Sequence, residues 1–475
     1  MLEMFFRKFI SIKSILFVTL FVFIFPQLIL NIWWIFDCNY CFGIGCRFSV
    51  CEGYEHKCVD QCYHQNLIND KEIHLKKTSF PKKSMKYRNY WQKISVTETE
   101  ESVYVYSAFS TNDNINCVII LAKVYYSSHQ LFNKYDNLFE CQLIDSNLGV
   151  MTRSISAKFI KVQEHLGYET TRITCVFPIA IPNPSPRFAR LIHKEVKGLA
   201  SDPILIDYVS DNSGLQTPEI VVCVRPLFGG YSSVRSLLEF IAYYRTQGID
   251  KIVFYRESVT EPVLKLLNSM SEFVETLPWV LKNGQSFTPE DQIASIDDCL
   301  HRFRSNVIIF IDVDEFIVPF GEESLKDLIL SEYKNRKTIA LSIRNVFFCC
   351  EYNTDYKKAF PRILSHFYRQ STVWLDWPTG WRSKLIVLRP HLIDRMGIHE
   401  VMRLSPNNSG SYVKHLDISE GLMFHYRSCC GVGRTPVLYG VMSFPTIRDR
   451  VIFDNRIEKF SQKVMSFINN YINFY

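Results

Sequence analysis

The sequence predicts an α/β fold for its C-terminal half, preceded by a β-rich domain and by one transmembrane helix near the N-terminus. Three observations predict this arrangement. From residue 219 onwards, apolar runs of strand length alternate with helical stripes; residues 101–215 are rich in β-branched and aromatic runs; and residues 14–36 carry no charge. Strands that alternate with helices are typical of a largely parallel sheet.

Composition excludes two broad classes of protein. Hydrophobic residues make up 47% and charged residues 21% of the 475 residues, so the chain is not intrinsically disordered. The 54 basic residues barely outnumber the 48 acidic ones and form no long block, which indicates no nucleic-acid partner. The length is typical of two or three domains.

The uncharged run at 14–36 is long enough to cross the hydrocarbon core of a bilayer as a helix. A cleaved signal peptide would have a shorter apolar region and small residues at its cleavage site. Arg7, Lys8 and Lys13 precede the run and predict that residues 1–13 form a cytoplasmic tail. We therefore favour a signal anchor, with the rest of the chain facing a lumen or the outside.

Cysteine usage is typical of an oxidising compartment. Six of the 15 cysteines fall within residues 38–62, and such a cluster in a lumenal segment favours disulfides over a zinc site. The pairing cannot be read from the sequence. We interpret residues 37–100 as a Cys-rich juxtamembrane segment followed by a stem.

Residues 216–445 are predicted to form the α/β domain. Buried strands are expected at 220–224, 251–255 and 307–311, with helices between them and the last helix at about 290–304. Sheets of this kind bind ligands beyond the carboxyl ends of their strands.

Two segments flank this domain. Residues 101–215 contain no catalytic constellation and are predicted to form an accessory β-rich domain. Apolar residues at helical spacing within 446–475 predict a closing amphipathic helix that packs onto the domain.

Two carboxylates follow the strand predicted at 307–311. Residues two apart on an extended chain point to the same side, so Asp312 and Asp314 are expected to project together into the ligand crevice. Paired carboxylates repel each other unless a cation lies between them, and hard oxygen ligands favour Mg²⁺ or Mn²⁺. The ordinary alternative is a strand-terminal turn with solvated acids. Apolar runs on both sides favour the cation, because acids are expensive to place there.

A divalent cation on a diphosphate neutralises charge on a leaving group, and an acceptor hydroxyl then needs a general base. His399 and His425 are candidates for a third ligand or for the base. A lone histidine is more often structural. His425 ends an apolar run and precedes Arg427, so it is the favoured ligand.

Several segments, taken together and in order, resemble glycosyltransferase family 92. The segments are 222–229, 239–241, 254–255, 291–300, 311–316, 382–387, 397–399 and 425–427. The resemblance implies a GT-A type nucleotide-sugar-binding domain that uses Mn²⁺ or Mg²⁺, in a single-pass type II Golgi membrane protein with a lumenal catalytic domain. It also implies transfer of galactose from UDP-galactose to a glycan or glycoprotein acceptor, with inversion.

The resemblance assigns roles to residues of this sequence. Asp312 and Asp314 match the acidic metal motif, and His425 matches the histidine that completes such metal sites. The residues expected to bind the donor are Arg225, Tyr255, Asp298, Asp312 and Lys384. The ordinary alternatives are ion pairs for the two basic residues, a core position for the tyrosine, and a cap or a pairing within its helix for Asp298.

The general base is the least defined part of the site. Asp376 has aromatic neighbours that suit a sugar-facing acid, although such rings are equally typical of a core, and Glu351 is the second candidate. Two other functions stay open. One is an inactive, membrane-tethered carbohydrate-binding protein, and the other is a metal-dependent phosphohydrolase.

Overall fold

The structure is a computed structural model that describes the chain in fourteen stretches. These are 74–75, 90–95, 102–111, 114–125, 134–165, 168–178, 186–209, 217–286, 292–349, 371–373, 382–406, 408, 410–427 and 451–473. All of them lie in one compact unit, Lys57–Tyr475. The predicted anchor and the cysteine cluster at 38–62 lie outside the described residues. Among the helices described, none has the length and apolarity that a membrane crossing requires.

Residues 101–215, which the sequence predicts to be β-rich, form eight strands, as expected, and two more strands precede them within the predicted stem. In chain order they are β1 (His74–Leu75), β2 (Gln92–Ser95), β3 (Ser102–Thr111), β4 (Asn114–Tyr125), β5 (Phe139–Ile144), β6 (Ile155–Ser156), β7 (Lys158–His165), β8 (Tyr168–Val176), β9 (Phe188–His193) and β10 (Ile204–Val209), with the short helix α1 (Lys134–Leu138) before β5. Strands β2–β10 make one nine-stranded sheet, the N-terminal sheet, in which β10 runs parallel to β3.

Strands and helices then alternate as the periodicity predicts. They are β11 (Ile220–Leu227), α2 (Val234–Thr246), β12 (Lys251–Arg256), α3 (Glu261–Ser269), β13 (Val274–Pro278), α4 (Gln292–Arg302) and β14 (Val307–Ile311). The four strands are parallel in the order β13-β12-β11-β14. The three predicted strands and the helix at about 290–304 are confirmed.

The remaining elements complete the domain. They are β15 (Glu315–Pro319), α5 (Leu325–Tyr333), β16 (Thr338–Ile343), β17 (Asn345–Cys349), β18 (Ser371–Val373), β19 (Lys384–Val387), the 3₁₀-helix η1 (Pro390–Leu392), β20 (Ile393–Met396), β21 (Val401–Leu404), β22 (Tyr412–His415), β23 (Gly421–Arg427), β24 (Val451–Phe453), the 3₁₀-helix η2 (Arg456–Phe460), α6 (Ser461–Asn469) and β25 (Ile472–Asn473). Strands β19, β16 and β22 extend the parallel group into a seven-stranded central sheet, and β15-β23-β17-β18-β24 make a second sheet.

The central sheet is largely parallel, as predicted, and contains one antiparallel strand. Strand β19 runs antiparallel to both β14 and β16. No described helix lies between β16 and β17 or between β18 and β19, so this part of the chain lacks the strand–helix alternation that produces parallel neighbours.

Different elements cover the two faces of the central sheet. On β11, Val222 and Val224 face a core shared with α2, α3, α5 and α6, whereas Val221 and Cys223 face α4 and the N-terminal sheet. A disulfide between Cys223 and Cys299 joins β11 to α4. The N-terminal sheet therefore serves as one wall of the α/β core, in a position where a doubly wound fold would place helices.

The predicted C-terminal helix packs onto the domain, as expected. Its 3₁₀ segment η2 and the helix α6 bury Ile457, Phe460, Val464 and Ile468 in the core that α2 shares. The helix α2 is buried on nearly all sides. The apolar stripe in its sequence predicted burial of one face only. The helix ends at Thr246, and Gly248 follows its cap, where a φ of +85° and the close approach of Lys326 exclude a side chain.

Buried ion pairs join the N-terminal sheet to α4. Arg172 on β8 donates from Nε to both carboxylate oxygens of Asp297 on α4, each at 3.0 Å. Arg302 on α4 pairs with Asp207 on β10 at 2.5 Å and with Asp298 at 2.9 Å. Charges this deeply buried are tolerated only when they are paired. The position of α4 is therefore set by both sheets.

We predict that acidification destabilises the protein partly through His301 on α4. Burial, reinforced by the guanidinium groups of Arg172 and Arg304, holds the pKa of His301 well below its usual range, although Asp394 opposes them. The native imidazole stays neutral while the unfolded one gains a proton below about pH 6.5. The neutral His301 therefore costs the folded state nothing above that pH. Below it, protonation of the unfolded state lowers the free energy of unfolding by at most about 1.4 kcal/mol per pH unit.

The measurement compares urea unfolding of the wild type and of His301→Gln at about pH 7.5 and about pH 5.5. The variant should lose less free energy of unfolding on acidification than the wild type. Other titrating groups are common to both proteins and cancel in the difference. Equal losses in the two proteins would contradict the assignment.

Candidate active site

The acidic triplet forms a tight turn between β14 and β15. The backbone N–H of Glu315 donates to the Asp312 carbonyl at 3.1 Å, and the Glu315 side-chain Oε2 accepts from the Asp312 N–H at 2.8 Å. The prediction of an extended chain at residues 312–314 is therefore wrong, because the chain turns there and the Glu315 side chain accepts a hydrogen bond across the turn. The strand before the turn, Val307–Ile311, is fully buried as predicted.

Asp312 is held from two sides. Its Oδ2 lies 3.1 Å from Lys384 Nζ on β19, and its Oδ1 accepts from the Gln292 side-chain amide at 3.0 Å, at the start of α4. The Lys384 side chain is 3% exposed and also pairs with Glu315 at 3.1 Å. Burial lowers the pKa of Lys384, but Glu315 and Asp312 outweigh it and the pKa is raised. A protonated lysine therefore supplies the compensating charge at Asp312.

Asp314 faces His425 at the open side of the turn. Its Oδ2 lies 3.5 Å from His425 Nε2, and 39% of its side chain is exposed. Burial raises the pKa of Asp314, but the facing His425 outweighs it and lowers that pKa to about 2. Burial lowers the pKa of His425, but Asp314 and Glu315 outweigh it and raise it. An accessible carboxylate and an imidazole nitrogen thus point at each other.

A pocket opens at the carboxyl ends of β11, β12 and β14, where the sequence predicts a ligand crevice. Its lining includes Arg225, Tyr255, Gln292, Ser295 and Ile311. The guanidinium of Arg225 lies 5.1 Å from the ring centroid of Phe228. Because the amide of Gln292 also binds Asp312, the pocket adjoins the acidic turn.

A family profile described as Glycosyltransferase family 92 matches residues 218–468, which is just over half of the chain. The chain belongs to glycosyltransferase family 92. It is therefore an enzyme of glycosyl transfer, and the resemblance carried by its motifs is confirmed. The match extends past residue 445 to include most of α6.

Two relatives with curated names are similar to this family 92 enzyme. One is the beta-1,4-galactosyltransferase galt-1 of Caenorhabditis elegans, 22% identical over 360 residues that span 71% of this chain and 78% of that protein. Another is the galactan beta-1,4-galactosyltransferase GALS2 of Arabidopsis thaliana, 25% identical over 34% of this chain and 36% of that protein. A crystal structure of HddC from Yersinia pseudotuberculosis aligns with 52% of this chain and 99% of that one, at 11% identity and a TM-score of 0.23, too low to support an argument.

Asp314 and His425 fit a divalent cation better than Asp312 does. Within the described part of the chain, no three His, Cys, Asp or Glu side chains are grouped so as to hold a metal. Asp314 and His425 nevertheless present an oxygen and a nitrogen 3.5 Å apart, close to the roughly 3 Å between neighbouring ligands of an ion bound at about 2.1 Å. Both oxygens of Asp312 are already engaged, one by a hydrogen bond from Gln292 and the other by the ion pair with Lys384. A site with so few protein ligands is typical of Mg²⁺ or Mn²⁺, which also binds phosphate oxygens of the substrate.

Asp298 is not positioned to bind a donor. It is fully buried and accepts hydrogen bonds from Ser107 at 2.5 Å, Tyr255 at 2.7 Å and Arg302 at 2.9 Å. The alternative of a pairing within its helix is correct, since Arg302 lies one turn further along α4. The role that remains for Asp298 is to join α4 to the N-terminal sheet.

Tyr255 and Lys384 are placed differently from what was expected. The Tyr255 ring lines the pocket, but its hydroxyl points away to Asp298, and burial followed by that carboxylate raises its pKa well above the usual range. Lys384 lies beneath the turn, so the expected direct contact with a diphosphate is replaced by its pairing with Asp312 and Glu315. Of the predicted donor-binding residues, Arg225 and Tyr255 line the pocket and Asp312 adjoins it.

Of the general-base candidates Glu351, Asp376 and His399, the structure describes only His399. Glu351 and Asp376 both lie outside the described residues. His399 lies in the loop between β20 and β21, where its Nδ1 is 2.9 Å from the Ser383 carbonyl oxygen. Burial lowers the pKa of His399, with the nearby Lys384 and Arg382 acting in the same direction. A neutral imidazole whose Nδ1 donates to a carbonyl keeps its other nitrogen as a proton acceptor.

Sequence reasoning missed Glu315 and Gln292. Both contact Asp312, and Gln292 also lines the pocket. The sequence carried a signal for each, because Glu315 directly follows the acidic pair and Gln292 lies within one of the family segments. Their roles depend on tertiary contacts that no local pattern encodes.

Proposed function

We propose that this family 92 enzyme transfers galactose from UDP-galactose to a hydroxyl group of a glycan acceptor, with inversion, at a GT-A type site. The observation that carries the proposal is the facing pair of Asp314 and His425 beside a pocket at the carboxyl ends of parallel strands. Two relatives named as galactosyltransferases support the choice of sugar.

In this proposal the nucleotide part of the donor binds at the carboxyl ends of the parallel strands, next to the acidic turn. Arg225, Gln292 and Ser295 give this edge of the sheet polar side chains. The diphosphate would then lie towards the acidic turn. Asp314 and His425 would hold Mn²⁺ or Mg²⁺ there, and such an ion neutralises charge that develops on the leaving UDP.

Inversion requires a base that removes the proton of the acceptor hydroxyl. His399 is a third candidate beside Glu351 and Asp376, because the contact of its Nδ1 with Ser383 fixes one nitrogen and its low pKa keeps the ring neutral. A neutral imidazole with one nitrogen fixed in this way can accept a proton on the other nitrogen.

The proposed setting is the Golgi lumen, with the N-terminal run as a single type II anchor. The disulfides Cys141–Cys175 and Cys223–Cys299 support this proposal, since disulfides persist in oxidising compartments. The uncharged run at 14–36 and the basic residues before it support the anchor.

Donor profiling of the full-length protein tests the proposed function. With Mn²⁺ and a mixture of glycan acceptors, UDP-galactose should release its nucleoside diphosphate at least about tenfold faster than UDP-glucose or GDP-fucose does, because contacts of the site distinguish sugars in the transition state. Chelation with EDTA should abolish the release. Glycan binding without UDP release would indicate a carbohydrate-binding protein. Conversion of UDP-galactose to UMP and galactose 1-phosphate, without a galactosylated product, would indicate a phosphohydrolase.

A further inference from the structure

The carboxylate of Glu315 lies beneath the acidic turn and contacts three parts of the site. Its Oε2 accepts from the Asp312 N–H at 2.8 Å and lies 3.1 Å from Lys384 Nζ. Its Oε1 lies 3.4 Å from His425 Nδ1. The side chain is 2% exposed, so it does not present itself to a substrate.

A charge buried this deeply is expensive unless it is compensated. Lys384 provides one compensating charge, and Lys384 also pairs with Asp312. Oxygen Oε2 of Glu315 serves the turn, because it accepts the Asp312 N–H and pairs with Lys384. Oxygen Oε1 faces away from these partners and towards His425.

The contact with His425 is reinforced by the backbone. Glu315 and His425 are directly opposed partners in the antiparallel pair β15–β23, and the ring of Phe347 packs edge-on against the imidazole at 5.4 Å. The His425 Nδ1 atom is buried and, within the described part of the chain, has no hydrogen bond of normal geometry. The Glu315 carboxylate therefore lies where it can hold a proton on Nδ1 and leave Nε2 for the Asp314 side.

We propose that Glu315 is a positioning residue that holds the imidazole of His425 with Nε2 towards Asp314 and so sets the affinity of the site for a divalent cation. This rests on the cation site of the proposed function. Carboxylates behind a ligating histidine fix the ring and its tautomer, and their removal typically weakens metal binding about 10–100-fold.

The test replaces Glu315 with glutamine in the full-length protein. An amide keeps the volume but offers an oxygen on one side only, so either His425 or the pair formed by Lys384 and the Asp312 N–H loses its acceptor. In the presence of UDP, the Kd for Mn²⁺, measured from the electron paramagnetic resonance signal of free Mn²⁺, should rise at least about tenfold. Saturating Mn²⁺ should restore most of the kcat.

The matched control is Glu332→Gln, the same chemical change at an ion pair with Lys414 near the surface, 2.7 Å apart. Its Kd for Mn²⁺ should equal that of the wild type. A Glu315→Gln protein that melts at a lower temperature but binds Mn²⁺ as tightly as the wild type would overturn the inference, because its role would then be structural only.

Other outcomes separate this inference from the proposed function. A wild type that binds no Mn²⁺ with UDP overturns both. A wild type that binds Mn²⁺ but transfers no galactose overturns the proposed function and leaves the positioning role testable by affinity. If Glu315→Gln does not fold, ¹⁵N spectra of histidine-labelled wild type with Mg²⁺ and UDP decide the matter. They should show His425 protonated at Nδ1, and the opposite tautomer would overturn the inference.

Discussion

Replacing Asp314 with asparagine is expected to reduce galactosyl transfer at least about 100-fold, because a group aimed at developing charge in the transition state typically contributes that much or more. The amide removes the negative charge that faces His425 Nε2 and weakens the proposed cation site. The loss should appear in kcat/KM for UDP-galactose measured at several Mn²⁺ concentrations. Fold should be retained, because 39% of the Asp314 side chain is exposed.

The matched control for Asp314→Asn is Asp202→Asn. Asp202 pairs with Lys282 at 2.6 Å on the surface, where both side chains are more than half exposed. Exposed ion pairs contribute little to stability, so this variant should keep wild-type activity. An Asp314→Asn protein with half the wild-type kcat/KM or more would refute the role given to Asp314.

Much of the fold could be predicted because its signals are local. The buried strands at 220–224, 251–255 and 307–311 and the helices between them follow from apolar periodicity, which the core preserves. The same periodicity predicted that Asp312 and Asp314 follow a central strand and that His425 lies near the end of another strand. Those positions are correct because the parallel strands and β23 end at the same place.

The rest of the site depends on contacts between distant segments. The Glu315 side chain accepts a hydrogen bond across the turn at Asp312, and Lys384 reaches the turn from a strand about 70 residues away. Asp298 lies within a family segment and was expected to bind the donor. Ser107 of the N-terminal sheet donates a hydrogen bond to it instead, in the protein interior. Sequence periodicity reports which face of an element is apolar, and it does not report which charges meet across an interface.

Replacing Arg172 with methionine is expected to lower the free energy of unfolding by about 3–5 kcal/mol, because it leaves the Asp297 carboxylate buried without its partner. The side chains of Arg172 and Asp297 are 7% and 3% exposed, and Nε donates to both carboxylate oxygens. Urea or guanidinium unfolding measures the change. Lys282→Met, which breaks the exposed pair with Asp202, should leave the stability nearly unchanged.

The double variant Arg172→Met/Asp297→Leu separates the loss of a charge partner from the loss of packing. Replacing both members of a buried pair with apolar side chains is often neutral, so the double variant should recover most of the stability that Arg172→Met loses. A double variant as unstable as Arg172→Met would instead place the effect in side-chain volume. Arg172 lies before the family match at 218–468, whereas Asp297 lies inside it on the helix whose first residue binds Asp312. A large coupling energy between the two would therefore show that the N-terminal sheet stabilises the helix whose first residue contacts the acidic turn.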